Sequence, residues 1–247
     1  MKPNIYNLFK FLEEKENRPI PLKVKFIYAP ETLTPEELDV KGNLYLGGTP
    51  ITSLPEGLKV RGNLYLINTP ITSLPEGLKV GGALNLGNTP IKSLPKGLEV
   101  GGFINLSNCE KLTSLPEGFK VRGSLNLSNT PITSLPKGLE VGGFINLSDC
   151  TNLDPSHSLP EGLEVKGFLD LGGTPITSLP EGLKVKKYLI LRNTPIKSLP
   201  KGLQVGEYLY LTNTPLAEKK DGIFKISDEE LLEMIGSDGY IGGKIFR

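Results

Sequence analysis

Apolar residues recur along this chain with a period of about twenty. In the unit from Val60 to Leu78 the recurrent pattern is V-x3-L-x-L-x4-I-x2-L-x3-L. The Leu-x-Leu piece alternates with period two, which predicts a short strand with both leucines on one face. The rest of the unit has no helical period and contains two prolines, which lack backbone donors. Each unit therefore predicts one strand and an extended return, without a helix of ordinary length.

A Leu-Pro pair marks eight such units, and Thr34-Pro35 marks a degenerate first one, so that nine units cover about residues 34–216. The steps between units are 20 residues, except for steps of 21 and 24 that end at Leu115 and Leu159. Stacked copies share burial and backbone hydrogen bonds that one unit cannot supply alone. We therefore expect coils whose strands lie about 4.8 Å apart in a curved parallel sheet.

These residues resemble a leucine-rich repeat, whose signature is L-x-x-L-x-L-x-x-N/C-x-L. The "LPEGL" return is similar to the twenty-residue bacterial subclass of secreted pathogen effectors, and the "VGG" arrays resemble phage-encoded proteins. The resemblance covers about three quarters of the chain. It implies a leucine-rich repeat solenoid with a turn-rich, extended convex side. Effectors of this subclass often carry a ubiquitin-ligase domain with a catalytic Cys, but no Cys follows the array here, so that activity is not carried over.

The Asn position of the family signature is Thr or Cys in this chain, and we expect these side chains to bond buried turn groups. They are Thr49, Thr69, Thr89, Cys109, Thr130, Cys150, Thr174, Thr194 and Thr214. The two cysteines lie two coils apart, about 10 Å, which exceeds the reach of a disulfide, about 7 Å. This spacing predicts two free, buried thiols.

Two columns of glycine predict tight turns with positive φ. The first comprises Gly57, Gly77, Gly97, Gly118, Gly138, Gly162, Gly182 and Gly202. The second precedes each strand and comprises Gly42, Gly62, Gly82, Gly102, Gly123, Gly143 and Gly167, before Lys187 and Glu207 replace it.

Small α/β caps are expected at both ends, since open sheets need protected edges. Residues 1–33 predict an N-terminal cap, with a helix over 4–16 and a strand in "PLKVKFIYAP". Residues 34–216 form the repeat array. Residues 217–247 predict a C-terminal cap, with a helix that starts in a capping box at Ser227 and stops at Gly236. The segment "GYIGGKIF" then predicts a hairpin.

The strand positions that alternate with the core leucines point to the predicted concave face. Of these 27 positions two are charged, where the chain average of 22% gives about six, and eight of the 17 aromatic residues fall there. Such composition is typical of an interface core. The predicted partner-binding residues are Tyr45, Tyr65, Phe103, Phe144, Phe168, Asp170, Tyr188, Ile190, Arg192, Tyr208 and Tyr210. The alternative is that the rings and the column Asn85, Asn105, Asn126 and Asn146 only stabilise the sheet.

Other kinds of site find little support. The net charge is +1, which argues against nucleic acid or an anionic membrane as partner. The one histidine, His157, lies in the insertion "TNLDPSHS" beside Asp154, and we expect a solvated loop there. A nucleophile-base arrangement, a metal-ligand spacing and a paired carboxylate are not recognisable. We therefore expect no catalysis, no metal and no cofactor.

The sequence thus favours a non-enzymatic module that recognises a protein partner through its concave sheet, and a monomer in solution. A structural or assembly protein, in a virion or through self-association, is the alternative, and a glycan binder ranks third. The N-terminus lacks the pattern of a signal peptide, and no apolar run has the length of a membrane span. We expect a cytoplasmic protein, with delivery into a host cell by a signal-independent route left open.

Overall fold

The computed structural model describes residues 5–218 and 225–247 and shows a parallel β-solenoid. Each of nine coils contributes two strands of two residues, and the C-terminal segment contributes a tenth pair. In chain order the strands are β1 Asp39–Val40, β2 Leu44–Tyr45, β3 Lys59–Val60, β4 Leu64–Tyr65, β5 Lys79–Val80, β6 Leu84–Asn85, β7 Glu99–Val100, β8 Ile104–Asn105, β9 Lys120–Val121, β10 Leu125–Asn126, β11 Glu140–Val141, β12 Ile145–Asn146, β13 Glu164–Val165, β14 Leu169–Asp170, β15 Lys184–Val185, β16 Leu189–Ile190, β17 Gln204–Val205, β18 Leu209–Tyr210, β19 Tyr240–Ile241 and β20 Ile245–Phe246.

The even-numbered strands form one continuous ten-stranded parallel sheet. Equivalent positions of successive coils face each other, as Leu125 faces Ile145 and Ile145 faces Leu169. The odd-numbered strands form three separate sheets, β1-β3-β5-β7, β9-β11 and β13-β15-β17-β19. The breaks fall at the units of 21 and 24 residues, because the added residues displace the return of the chain before the next odd strand. Clefts of about 430 and 670 Å³ lie along these breaks.

The recurrent apolar positions form a single hydrophobic core that runs the length of the solenoid. In the unit used above, Val60, Leu64, Leu66, Ile71 and Leu78 are all buried. Burial of one leucine side chain contributes about 2 kcal/mol, so the regular inward placement of these residues is the main stabilising term. The predicted division into inward and outward strand positions is confirmed.

Threonine hydroxyls line the turn that follows seven strands of the ten-stranded sheet. Each donates to the carbonyl of the leucine three residues earlier, as Thr130 Oγ1 does to Leu127 at 2.6 Å. At the two cysteine positions the thiol donates to the leucine carbonyl of the preceding coil, from Cys150 Sγ to Leu127 O at 3.0 Å. Cys109 and Cys150 are free and buried, as expected, and burial raises the pKa of both thiols.

The prediction of positive φ holds for most of the first glycine column but is wrong for the second, in which no residue has positive φ. All of these glycines except Gly42 are required by close approach: a Cβ on Gly123 would lie 2.6 Å from the carbonyl carbon of Gly102 in the preceding coil. The left-handed residues after the strands are mostly asparagines, whose side chains form an exposed ladder that sequence reasoning missed. Its hydrogen-bonded pairs are Asn68 with Asn88, Asn108 with Asn129, and Asn193 with Asn213.

The N-terminal segment is helical: α1 spans Ile5–Glu16, α2 spans Leu22–Tyr28, a 3₁₀ turn spans Pro30–Thr32 and α3 spans Pro35–Leu38. The strand predicted in "PLKVKFIYAP" is therefore wrong. Leu22, Phe26 and Ala29 follow a helical spacing of four and three residues, and Phe26 and Ala29 are buried at the end of the core. Burial of Phe26 explains why this segment forms a helix although its β-branched and aromatic residues favour a strand.

The C-terminal helix α4 spans Asp228–Ile235. Ser227 and Glu230 form the predicted capping box, and Gly236 ends the helix with φ of 71°. The predicted hairpin is wrong, because β19 and β20 do not pair with each other. Each pairs in parallel with the preceding coil, β19 with β17 and β20 with β18, and so extends both sheets. Within the described ranges, no helix has the length and apolar character needed to cross a bilayer.

Candidate functional site

The ten-stranded sheet presents its outward side chains, here called the outer face, in three columns set by the strand register. Phe144, Phe168, Tyr188 and Tyr208 occupy one column on successive coils, immediately before the paired residues of β12, β14, β16 and β18. All four rings are partly exposed. The predicted alignment of these residues on a common sheet is confirmed, because equal coil positions face each other along the whole array.

Ring contacts divide the aromatic residues of the outer face into three clusters. At the N-terminal end Tyr45 and Tyr65 stack at 4.8 Å, and each hydroxyl accepts a hydrogen bond from the asparagine two residues earlier. In the middle, Phe144 stacks on Phe168 at 4.3 Å and tilts against Phe103 at 5.8 Å. Small Ser124 lies on the coil between Phe103 and Phe144, which lets the two rings meet across it.

The third cluster lies at the C-terminal end and includes a residue that sequence reasoning did not place there. Tyr188 stacks on Tyr208 at 5.4 Å, and Phe246 stacks on Tyr210 at 4.7 Å and meets Tyr208 edge-on. Phe246 belongs to this cluster because β20 pairs in parallel with β18 and so places Phe246 beside Tyr210. The signal that could have shown this is the four-residue spacing of Ile241 and Ile245, which matches that of Val205 and Leu209 in the preceding coil.

A column of amide side chains lies beside the middle cluster and comprises Asn85, Asn105 and Asn126. Asn105 Nδ2 donates to Asn85 Oδ1 at 3.0 Å, and Asn126 Nδ2 donates to Asn105 Oδ1 at 3.1 Å. Each Oδ1 also accepts a hydrogen bond from the backbone N–H two residues further on. For example, Ser107 N donates to Asn105 Oδ1. The amide column is thus a hydrogen-bonded ladder, so these asparagines contribute to the sheet whether or not they also meet a partner.

Asp170 follows the asparagines in this column, and the structure buries it to 7% exposure. Its Oδ1 accepts the Gly172 N–H at 2.8 Å, and its Oδ2 lies 4.0 Å from Arg192 Nη2. Burial raises the pKa of Asp170, while the Gly172 hydrogen bond and the Arg192 charge act in the opposite direction. Arg192 is exposed and Ile190 is half-buried. Of the predicted site residues, Asp170 is therefore the one that presents the least surface.

Glu207, which replaces glycine in the second glycine column, also reaches the outer face. It is hydrogen-bonded to the Tyr188 hydroxyl, and this interaction raises the pKa of Tyr188. Lys187 and Glu207 keep the backbone bond of the glycines they replace, from Lys187 N to Gly167 O and from Glu207 N to Lys187 O. This position therefore tolerates a side chain at the C-terminal coils, where the side chain adds polar groups to the rim of the third cluster.

The insertion around His157 forms an exposed loop turn. Asp154 Oδ1 accepts the backbone N–H groups of Ser156 and His157, and these bonds lower the pKa of Asp154. His157 Nδ1 lies 3.5 Å from the same carboxylate. The hydrogen bonds of Asp154 thus stabilise the loop turn, which gives this carboxylate a structural role. In the described ranges, no three His, Cys, Asp or Glu side chains gather as metal ligands.

Comparison with known proteins adds no assignment to this geometry: the chain matches no protein-family model and no curated protein. The outer face, with three aromatic clusters, one amide ladder and the Asp170–Arg192 pair, is the candidate functional site.

Proposed function

We propose that the protein is a non-enzymatic recognition module of the leucine-rich repeat type, and that it binds a protein partner through the outer face of its ten-stranded sheet. The observation that carries the proposal is the continuity of this face. Phe103, Phe144 and Phe168 form one cluster, and Tyr188 and Tyr208 begin the next on the following coils. Contiguous exposed aromatic surface with few charges is typical of interface cores.

The chemistry of the remaining side chains supports binding rather than catalysis. The only histidine contacts Asp154 in an exposed loop, and both thiols are buried and hydrogen-bonded to leucine carbonyls. A rigid scaffold with half-buried rings is also favourable energetically, because the stacked rings lose little side-chain entropy when a partner covers them. The protein is proposed to act as a cytoplasmic monomer.

Replacement of Phe168 and Tyr188 together by Ala should weaken partner binding at least tenfold, because central aromatic anchors carry most of the energy of an interface. The partner is selected from a displayed protein library with the wild-type chain, and its affinity for both forms is measured by biolayer interferometry. The matched control is Thr72→Ala with Thr177→Ala, at exposed positions away from the outer face. Unchanged affinity of the aromatic variant, with the fold intact by circular dichroism, would show that the site is assigned to the wrong face.

Self-assembly is a second candidate, favoured by a separate observation. All eight large apolar side chains that are exposed within the described ranges lie near the two ends of the solenoid: Ile5, Leu8, Phe11, Tyr28, Tyr45, Leu232, Tyr240 and Phe246. The span from α1 through α2 carries five basic and three acidic residues, whereas α4 carries four acidic residues and no basic one. Opposite charge beside apolar surface suits a head-to-tail contact between copies.

Light scattering after size exclusion tests this candidate with Phe11→Glu at one end and Phe246→Glu at the other. Head-to-tail contact predicts that the wild type grows in mass with concentration and that each variant alone stays monomeric. The two variants mixed would then form a complex of two chains, since each retains one intact end. A wild-type chain that remains monomeric at about 100 μM, where even weak contacts populate, excludes assembly.

A further inference from the structure

Asp170 interrupts a pattern that the preceding coils maintain. Four successive coils place Asn at this position, in the column that begins at Asn85 and ends at Asn146, and the fifth places Asp. An amide would donate to the preceding Asn146, as Asn105 donates to Asn85. A carboxylate has no N–H to donate. Asp170 therefore cannot extend the ladder, whose last amide bond runs from Asn126 to Asn105, and it lies in a buried position where an amide would be the more stable choice.

The carboxylate is only partly compensated by its surroundings. Gly172 N–H serves one oxygen, while the other lies 4.0 Å from Arg192 Nη2, beyond hydrogen-bonding distance. Arg192 itself is mostly solvated, and the nearby Asp149 adds a second negative charge that disfavours ionisation of Asp170. Residues that reduce stability without a structural benefit are expected at functional sites. Among the described residues, no donor thus hydrogen-bonds the second carboxylate oxygen.

We propose that Asp170 is the anchor of a subsite for an ammonium or guanidinium group, which a lysine or arginine side chain of the protein partner supplies. This inference rests on the proposed function and names the chemistry of the partner. In the free protein the Arg192 guanidinium lies near the carboxylate without a hydrogen bond to it, and it moves away when the ligand cation binds. Phe168 lies two residues before Asp170 on the same face and stacks on Phe144, so aromatic surface flanks the carboxylate. Cations bind favourably over such rings.

Other ligands fit this subsite less well. A calcium ion needs six to eight oxygen ligands, and Asp170 is the only carboxylate among the strand positions of the outer face. An anion would meet a buried negative charge. A cationic side chain requires one charged acceptor and an apolar wall for its stem, which are the two features present.

The test is an NMR titration of the wild-type chain with methylguanidinium, followed at the Gly172 amide, whose proton is bonded to Asp170. Saturable shifts at Gly172 are expected, and Asp170→Asn should weaken them at least tenfold. Arg192→Gln should tighten binding, because the competing internal cation is removed. The matched control is Asp149→Asn, which removes the same charge on the neighbouring coil at a left-handed position where other coils carry Asn. It should bind methylguanidinium at least as tightly as the wild type, because it removes a charge that disfavours ionisation of Asp170. Urea serves as the neutral probe and should produce no saturable shift.

Stability provides an independent readout for the same variant. Because burial raises the pKa of Asp170, its ionised form opposes folding above that pKa, and the penalty is relieved as the pH falls. Asp170→Asn should therefore raise the free energy of unfolding at pH 7, and the gain should shrink toward pH 4. Loss of methylguanidinium binding in a more stable protein separates the subsite from a structural role.

The outcomes also separate this inference from the proposed function. Equal shifts in the wild type and Asp170→Asn, or no saturable shift in the wild type, would overturn the cation subsite. The effect of the Phe168 and Tyr188 substitutions on the library-selected partner would still stand. Conversely, saturable methylguanidinium binding with an aromatic variant that keeps full partner affinity would retain the subsite and reject the outer-face proposal.

Discussion

Phe26→Ala should reduce the free energy of unfolding by about 3–5 kcal/mol, the usual cost of truncating a buried phenylalanine. Phe26 is 1% exposed and anchors α2 to the end of the core. In a solenoid each coil contacts only its neighbours, so the damage should concentrate at one end. Urea denaturation measures the loss of stability. Hydrogen exchange should show faster opening of the first coils than of the coils around β10.

The matched control for this substitution is Phe11→Ala. Phe11 lies on α1 and is 54% exposed, so the same chemical change should alter stability by less than about 0.5 kcal/mol. A loss of less than 1 kcal/mol for Phe26→Ala would contradict the packing of α2 on the core. Uniformly faster exchange along the array would contradict nearest-neighbour coupling.

Leu127→Ala should destabilise the protein by about 2–5 kcal/mol. Leu127 is fully buried in the fifth of the nine coils, with coils on both sides, so the cavity cannot be closed by movement of a chain end. Its carbonyl also accepts from Thr130 Oγ1 and Cys150 Sγ, and backbone shifts around the cavity would disturb both bonds. Thermal and urea denaturation measure the effect.

Leu232→Ala is the corresponding control, since Leu232 on α4 is 45% exposed. It should change stability by less than about 0.5 kcal/mol. If Leu127→Ala were no more destabilising than Leu232→Ala, the inward direction of the central leucines would be wrong. Hydrogen exchange gives a second check, because protection should fall on both sides of β10.

Most of the fold could be predicted because the same pattern of apolar positions recurs in every unit of the repeat. The Leu-x-Leu alternation identifies which side chains turn inward, and the constant step between units identifies which strands become neighbours. The secondary-structure predictions failed where the repeat stops, whereas within the repeat the prediction of positive φ failed for the second glycine column. In α2 and its C-cap Ala29, the helical spacing of Leu22, Phe26 and Ala29 outweighs strand propensity. At β19 and β20 a parallel pairing replaces the expected hairpin.

The candidate site was predicted in part for the same reason. Alternation places Phe144, Phe168 and Tyr188 outward with no knowledge of their neighbours. The addition of Phe246 depends on a strand pairing that joins residues 36 positions apart in the chain, Tyr210 and Phe246. The stacking distances depend on how rings on neighbouring coils pack against each other. Phe103, for example, contacts Phe144 two coils away, across the small Ser124.

The sequence by itself determined the coil, its core residues, the outward set and the separation of the two thiols, because each follows from a period of twenty residues and the fixed spacing of paired strands. Tertiary structure alone decided that Asp170 is buried and that Arg192 compensates it only loosely. It also decided that the odd-strand sheet breaks at the two longer units. These features depend on distances between coils and on solvent exclusion, and neither quantity is set by the order of residues within one repeat.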